Sequence, residues 1–343
     1  MRWSMRTAAL VSAAVVAVGS LTACGNGDGA AAGGSSTLTL YNAQHEDLVK
    51  AMVAGFTKDT GIKVDIRSGE DFELGNQIVQ EGNASPADVF VTENSPAMSL
   101  VDSHGGFAKV DAATLTQVPG QFVPSSKNWT GFAARATVLA YNNTQLTADK
   151  LPASIMDLAK PQWQGRFGVA AAGADFQAIV SAVLDVKGEA ATADWLAGLK
   201  ANAKIYQGNG AVMKAVNAGE IQAGVIYHYY WYKDRAESGT NSNNTELKFF
   251  GGKDPGAFLS VSGAGVLKVS KHQADAQKLV RYLTSKKGQE ILSASTALEY
   301  SIASDVPANP ALKPLAELDP PTIDVAKLNG PKVVELMQNA GLL

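Results

Sequence analysis

The sequence predicts an α/β protein of two hinged lobes with mixed, mostly parallel sheets. Residues 38–343 exceed the size that a single hydrophobic core normally serves, so two lobes are expected. The segment 37–93 alternates strand and helix patterns in the order β-α-β-α-β, which favours parallel strands with right-handed crossovers. A second alternating segment begins near residue 166. Together these observations indicate two α/β lobes.

The N-terminus has the pattern of a bacterial export signal. A cationic start precedes an apolar run from Ala8 to about Val18, which is too short to span a membrane comfortably. Leu21-Thr-Ala then precedes Cys24, the only cysteine, as in the lipobox of bacterial lipoproteins. We expect a signal peptide over residues 1–23, a lipidated Cys24 and a flexible tether over residues 24–37. The alternative is an ordinary signal peptide with an unrelated cysteine.

The charge balance argues against polyanionic partners. The chain has 29 basic and 32 acidic residues, a formal net charge of −3, and loss of the two signal-peptide arginines makes it more negative. Nucleic acid and anionic membrane surfaces are therefore not expected as main partners. We expect a monomer at the outer face of the cytoplasmic membrane or in the periplasm, held to the membrane only by its lipid anchor.

The elements of the first lobe follow from apolar spacing. A strand over residues 37–43 has leucines alternating with threonines, and a helix follows with Leu48, Met52 and Phe56 spaced by four. Gly61 is the expected helix end. The rest of this segment is a strand at 63–67, a helix bearing Leu74 and Ile78, and a strand at 87–93. We place this lobe at residues 38–135 plus about 260–310.

The second lobe is placed at about residues 136–259 plus 311–343, with the hinge near residues 135 and 260. It starts with a strand at 137–141, immediately after Arg135. The apolar patterns predict further strands at 166–170 and 221–226 and helices at 176–186, 191–199 and 212–218. Later patterns predict strands at 258–262 and 265–269 and helices at 272–283, 287–292 and 331–337.

An aromatic cluster follows the predicted strand at 221–226. Residues 226–233 read Ile-Tyr-His-Tyr-Tyr-Trp-Tyr-Lys and hold four of the nine tyrosines. Neighbouring side chains on a strand face opposite sides, so one ligand can meet both Tyr229 and Tyr230 only where the strand ends. In open α/β sheets ligands bind beyond such ends, and phenolate is a hard anionic donor that suits Fe(III). The pair therefore indicates a ferric site, with Tyr227, Trp231 and Tyr232 expected as cleft wall or core.

Several blocks of the sequence match the pattern of a known family. They read Tyr-Asn-Ala-Gln-His at 41–45, Thr-Gly-Ile-Lys-Val at 60–64, Pro-Ala-Asp-Val-Phe at 86–90, Tyr-Tyr-Trp-Tyr at 229–232, Asp-Pro-Gly-Ala at 254–257 and Ser-Lys-Lys-Gly-Gln-Glu at 285–290. With them the chain resembles the ferric-iron-binding substrate-binding proteins of bacterial ABC transporters over most of residues 38–342. The resemblance implies a type II periplasmic-binding-protein-like fold whose cleft closes on Fe(III), free or chelated, and an ABC permease that receives it.

The resemblance also implies four metal ligands, which are His45, Glu93, Tyr229 and Tyr230. Two phenolates and one carboxylate would match the charge of a trivalent ion. Two alternatives stay open at this point. His45 could donate to a backbone carbonyl in a turn, and Glu93 could be the N-cap or first-turn acid of a helix that begins near Ser95.

The anion site departs from the family pattern. There, a bound phosphate or carbonate commonly completes the coordination of the iron, held by a Ser/Gly/Ala run at a helix start and by asparagines. The matching segment here contains Asp175, Asn209 matches one asparagine, and Tyr227 replaces another. Asp175 is either a plain helix N-cap or a carboxylate in the place of the anion. Arg135 could neutralise or bind an anion instead.

Other functional classes are less well supported. A binding protein of the same fold for a polyamine, thiamine or a phosphonate would use the tyrosines and Trp231 as a stacking wall. The chain has no Gly-x-Ser-x-Gly or His-Glu-x-x-His motif and four histidines in total, so we expect no enzyme. A structural lipoprotein would not need paired phenols in a cleft. Capture of Fe(III) is the predicted function.

Overall fold

A computed structural model describes residues 37–303 and 305–343. The predicted signal peptide, the lipidation at Cys24 and nearly all of the tether lie outside these residues. Within the described part of the chain, no helix is both long enough and apolar enough to cross a membrane.

The described residues form ten strands and eleven α-helices. The strands are β1 (Thr37–Ala43), β2 (Lys63–Ser68), β3 (Val89–Thr92), β4 (Thr130–Asn142), β5 (Phe167–Val169), β6 (Ala203–Ile205), β7 (Ala223–Tyr227), β8 (Thr245–Phe249), β9 (Leu259–Val266) and β10 (Tyr300–Ser301). The helices are α1 (Glu46–Thr60), α2 (Asp71–Glu81), α3 (Ser95–Ser103), α4 (Ala112–Leu115), α5 (Ala174–Lys187), α6 (Glu189–Asn202), α7 (Asn209–Asn217), α8 (His228–Glu237), α9 (Gln273–Thr284), α10 (Lys286–Ala294) and α11 (Gly330–Asn339).

The first ladder of strands has the predicted β-α-β-α-β order. Strand β1 lies between β2 and β3 and pairs with both in parallel, and α1 and α2 make the crossovers. Helix α1 ends at Gly61, where a φ of 73° is open to glycine without steric cost. Strand β9 then pairs antiparallel with β3. The prediction of parallel strands at the start of the chain is confirmed.

Strand β4 belongs to two ladders. Its first half pairs antiparallel with β9, with Arg135 opposite Ser260, and its second half pairs antiparallel with β7 from Thr137 onward. The parallel strands β5 and β6 continue the second ladder beyond β7, and β8 pairs with the other side of β4. The changeover coincides with the predicted hinge, whereas the exact lobe boundaries stay a prediction. Segments from both predicted lobes contact the C-terminal stretch, since α11 packs on α5 and α6 while residues 325–327 pack on α3.

Two predicted strands differ from the structure in their bounds. The strand predicted at 137–141 is confirmed but continues the longer β4, and in place of two strands at 258–262 and 265–269 there is one, β9, which ends at Val266. The glycines in β9 do not break the strand but let neighbours approach it closely. A Cβ at Gly263 would lie 2.4 Å from the Cγ of Met98. Helix α8 was not predicted at all.

Every residue of β4 is buried, including one cation. Arg135 is fully inaccessible to solvent in the centre of that strand. Arginine is almost never fully buried unless it is paired, so its partners mark a place where the fold holds charge inside. Those partners belong to the site described next.

Candidate functional site

Loops from both ladders bring the predicted ligands together. His45 follows β1 and Glu93 follows β3, both in the first ladder, whereas Tyr229 and Tyr230 follow β7 in the second. All three strands thus contribute residues from their carboxyl ends, as expected for a ligand site in a parallel sheet. The remaining candidates, Asp175, Asn209 and Arg135, lie at the same place.

The tyrosine pair sits at the change from strand to helix. Strand β7 ends at Tyr227, which is the N-cap of α8, so Tyr229 and Tyr230 occupy the first helical turn. Consecutive side chains on a helix do not point to opposite faces as they do on a strand. The two rings stack with centroids 4.2 Å apart. The Tyr229 hydroxyl donates to Oε1 of Glu93 (3.1 Å), and the Tyr230 hydroxyl donates to Oδ2 of Asp175 (3.2 Å).

The His45 ring is held by two carboxylates rather than by a backbone carbonyl, so that alternative is wrong. Nδ1 of His45 lies 3.0 Å from Oε1 of Glu299, and Nε2 lies 3.8 Å from Oε1 of Glu93. The edge of the ring meets Tyr229 at a centroid distance of 5.0 Å. Burial alone would lower the pKa of His45, but the Glu299 and Glu93 carboxylates raise it above its ordinary value.

Glu93 does not cap a helix. The N-cap of α3 is Asn94, and the Glu93 carboxylate instead meets Tyr229 and Arg135, with Nη1 of Arg135 at 3.4 Å. Burial and the neighbouring Asp175 carboxylate raise the pKa of Glu93 to about 8. A cation in the site would favour the charged form of Glu93 and gain a carboxylate ligand.

The N-cap interpretation of Asp175 is also wrong. Gly173 is the N-cap of α5, and Asp175 is its second residue. The Asp175 carboxylate turns to the site, where Oδ1 accepts from the amide of Asn94 (3.0 Å) and Oδ2 accepts from the amide of Asn209 (2.8 Å). Burial raises the pKa of Asp175 above its ordinary range. The two amides hold the Asp175 carboxylate in the site.

A buried ion pair lies behind the ligands. Nη1 of Arg135 is 3.3 Å from Oε2 of Glu299 and 3.1 Å from the hydroxyl of Ser262. Arg135 thus contacts the carboxylates of Glu299 and Glu93, and the prediction that it neutralises or binds an exogenous anion stays a prediction. Burial would raise the pKa of Glu299, but Arg135 and His45 hold it below its ordinary value. Sequence reasoning missed Glu299, although a carboxylate between the apolar Leu298 and Tyr300 was a usable signal.

The donor set of this site suits a hard cation. It offers an imidazole nitrogen, carboxylate oxygens and two phenol oxygens, and one ligand atom each of His45, Glu93 and Glu299 lie within 4.8 Å of one another. Glu299 already accepts from Arg135, Gln44 and Ser262 and lies 3.0 Å from Nδ1 of His45, whereas Glu93 and Asp175 face the phenols. A cavity of about 690 Å³ opens beside His45, which is the one residue of this site among those that line it.

Comparisons with known proteins agree with this chemistry. A family model described as bacterial extracellular solute-binding protein matches residues 84–327. The Fe(3+)-binding periplasmic protein of Serratia marcescens is 58% identical over 91% of this chain and 93% of its own length. The major ferric iron-binding protein of Neisseria meningitidis is 36% identical over 89% of this chain and 93% of its own. The crystal structure of iron-bound HitA from Pseudomonas aeruginosa superposes with a TM-score of 0.83 at 44% identity, covering 89% of this chain and 99% of that one.

Proposed function

This chain belongs to the bacterial extracellular solute-binding proteins, and we propose that it captures Fe(III) with Tyr229, Tyr230, Glu93 and His45 as ligands. Membership of this family confirms the predicted fold class, a hinged type II periplasmic-binding fold. It also confirms the prediction that the chain is a binding protein of iron uptake rather than an enzyme.

The pairing of each phenol with a carboxylate carries the proposal. The Tyr229 hydroxyl donates a hydrogen bond to Glu93, and the Tyr230 hydroxyl donates one to Asp175. A ferric ion that replaces these two protons turns both members of each pair into ligands without moving either chain segment far. Because the phenols belong to the second ladder and Glu93 to the first, the same exchange couples metal binding to closure of the cleft.

Asp175 takes the place of an exogenous anion in this proposal. Two phenolates and two carboxylates bring four formal negative charges to three positive ones, so a further phosphate or carbonate would add repulsion. The Asn94 and Asn209 amides, which donate to Asp175, would otherwise be free to hold such an anion. We therefore propose anion-independent binding, with no phosphate or carbonate as a synergistic ligand.

The remaining parts of the function rest on the sequence. The lipobox-like segment that ends at Cys24 supports a lipid anchor at the outer face of the cytoplasmic membrane. The family supports delivery of the iron to an ABC permease. We propose that the protein acts there as a monomer.

The alternative of an organic solute has less support in the site. A stacking wall needs an aromatic face that is open to the ligand. Tyr229 and Tyr230 instead stack on each other, and both hydroxyls are bound to carboxylates. Replacing His45 by alanine separates the two functions, because it should weaken iron binding and leave the binding of a stacked solute unchanged.

A visible titration tests the proposed function. Residues 25–343 are stripped of metal and titrated with a ferric chelate in a buffer free of phosphate and carbonate. A phenolate-to-Fe(III) charge-transfer band that saturates at one equivalent is the expected result. If no band develops, even after either anion is supplied, the iron proposal is wrong and the organic solute becomes the better candidate.

Ferric affinity is expected to rise steeply with pH. Burial raises the pKa of Tyr230 above the ordinary value of 10.0 and raises the pKa of Tyr229 well above it. Both phenols are therefore protonated at neutral pH, and Fe(III) must displace two protons to bind both. Displacing two protons strengthens binding by about a hundredfold per pH unit. Competition with a chelator of known proton dependence measures this slope. A pH-independent affinity would contradict phenolate ligation.

A further inference from the structure

Glu299 occupies a buried position directly behind the proposed ligands. It lies in the short connection between α10 and β10, and its side chain is completely inaccessible to solvent. One oxygen, Oε1, lies 3.0 Å from Nδ1 of His45. The other, Oε2, lies 3.3 Å from donors on Arg135, Gln44 and Ser262. The groups around this carboxylate thus converge from β4, β9 and the segment that follows β1, and they fix it in place.

The same network holds the backbone of His45. Gln44, which donates to Glu299 through its amide nitrogen, accepts from the backbone N–H of His45 through its amide oxygen at 2.6 Å. Both the main chain and the ring of His45 are therefore tied to one carboxylate. With Nδ1 facing Glu299, the ring points Nε2 toward Glu93. A metal-ligating histidine commonly donates its second ring N–H to a carboxylate in this way, which sets its tautomer and orientation.

A direct role for Glu299 as a ligand fits the structure less well. Rotating the Glu299 carboxylate toward a metal would break its contact with Arg135. The guanidinium of Arg135, which is fully buried, would then lose a counter-charge. Two nitrogens of that guanidinium, Nε and Nη2, have no hydrogen-bond partner among the described residues, so Nη1 is its point of attachment. Glu93, which keeps partial contact with solvent, is free to move by comparison.

We infer that Glu299 is a positioning residue that holds His45 with Nδ1 protonated and Nε2 presented to the ferric ion. The inference rests on the proposed iron function and deepens it, since it assigns a role in the same site to a residue outside the ligand set. It also gives Arg135 a fixed counter-charge, so that the arginine does not repel the incoming cation.

A double-mutant cycle tests whether Glu299 acts through His45. The variants are Glu299→Gln, His45→Ala and the two combined. The control is Glu246→Gln, which changes a glutamate that also accepts a hydrogen bond but lies at the far end of the β4–β7 ladder. Ferric dissociation constants are measured by competition with a chelator. We expect Glu299→Gln to weaken binding by about 10- to 100-fold, and to add nothing in the His45→Ala background.

The outcomes separate this inference from the proposed function. If the wild type binds iron and the two substitutions multiply, Glu299 acts independently of His45, as a ligand or through Arg135 alone, and the inference is wrong. It is equally wrong if Glu299→Gln binds like the wild type. If the wild type forms no charge-transfer band, the proposed function is wrong, and the inference, which rests on it, is wrong as well.

A measurement on the wild-type protein tests the inference even if the Glu299→Gln variant does not fold. The protein is labelled with ¹⁵N-histidine and loaded with diamagnetic Ga(III), and the four histidines are resolved by NMR. The His45 signal, assigned by its loss in His45→Ala, should show a proton on Nδ1. A proton on Nε2 would overturn the inference.

Discussion

Replacing Tyr229 and Tyr230 together by phenylalanine is expected to abolish the charge-transfer band and lower ferric affinity by far more than a hundredfold. Loss of a residue that only supports a metal ligand typically costs 10- to 100-fold, and each phenol is proposed as a ligand itself. The substitution removes only two hydroxyls, so the stacked rings and their burial stay in place. Chelator competition and visible absorption measure the loss.

Tyr232→Phe is the matched control for this variant. Tyr232 lies in the same helix, α8, and packs against His228 rather than against the carboxylates of the site. We expect its removal to leave the band and the affinity unchanged. Retained ferric affinity in the double variant would mean that the tyrosines are cleft wall and that the metal, if any, is held elsewhere.

Replacing Asp175 by serine is expected to make ferric binding dependent on an added anion. The change removes one formal charge and frees the Asn94 and Asn209 amides that donate to Asp175. Together with the N-terminus of α5, these amides can then hold phosphate or carbonate. Without an added anion we expect affinity to fall by about a hundredfold or more, and an added anion should restore much of it.

The control for this variant is Asp185→Asn, an exposed acid near the other end of α5. It removes the same charge far from the site and should leave both affinity and anion dependence unchanged. Two results would contradict the proposed role of Asp175. One is a wild type that binds only when an anion is supplied, and the other is a serine variant that binds equally well without one.

Local sequence patterns predicted the elements that depend on local chemistry. The parallel strands at the start of the chain follow from alternating leucines, and the tyrosine pair at the end of β7 follows from an apolar run that stops. Helix α8 was missed because tyrosine and tryptophan have modest helix propensity. The helix forms where His228 and Tyr229 are buried against the core, which a local pattern does not show.

The parts of the site that the sequence left open or missed depend on contacts between distant segments. Asp175 is of a residue type favoured at N-caps, but Gly173 takes that position and the carboxylate meets Asn94, 81 residues away. Glu299 reaches His45 from the opposite end of the chain. No spacing rule connects such residues, because only the arrangement of the strands brings them together.

The changeover of β4 between two ladders places the proposed ligands on two sides of the predicted hinge. Arg135 lies opposite Ser260 at this crossing, and Glu299 contacts it there. His45 and Glu93 follow strands of the first ladder, whereas Tyr229 and Tyr230 follow β7 of the second. If the proposed ligands are held on both sides of the hinge, capture by one pair and completion of the site by the other are separate kinetic steps. Stopped-flow absorbance, which detects only the phenolates, would show whether they bind in the first step or in the second.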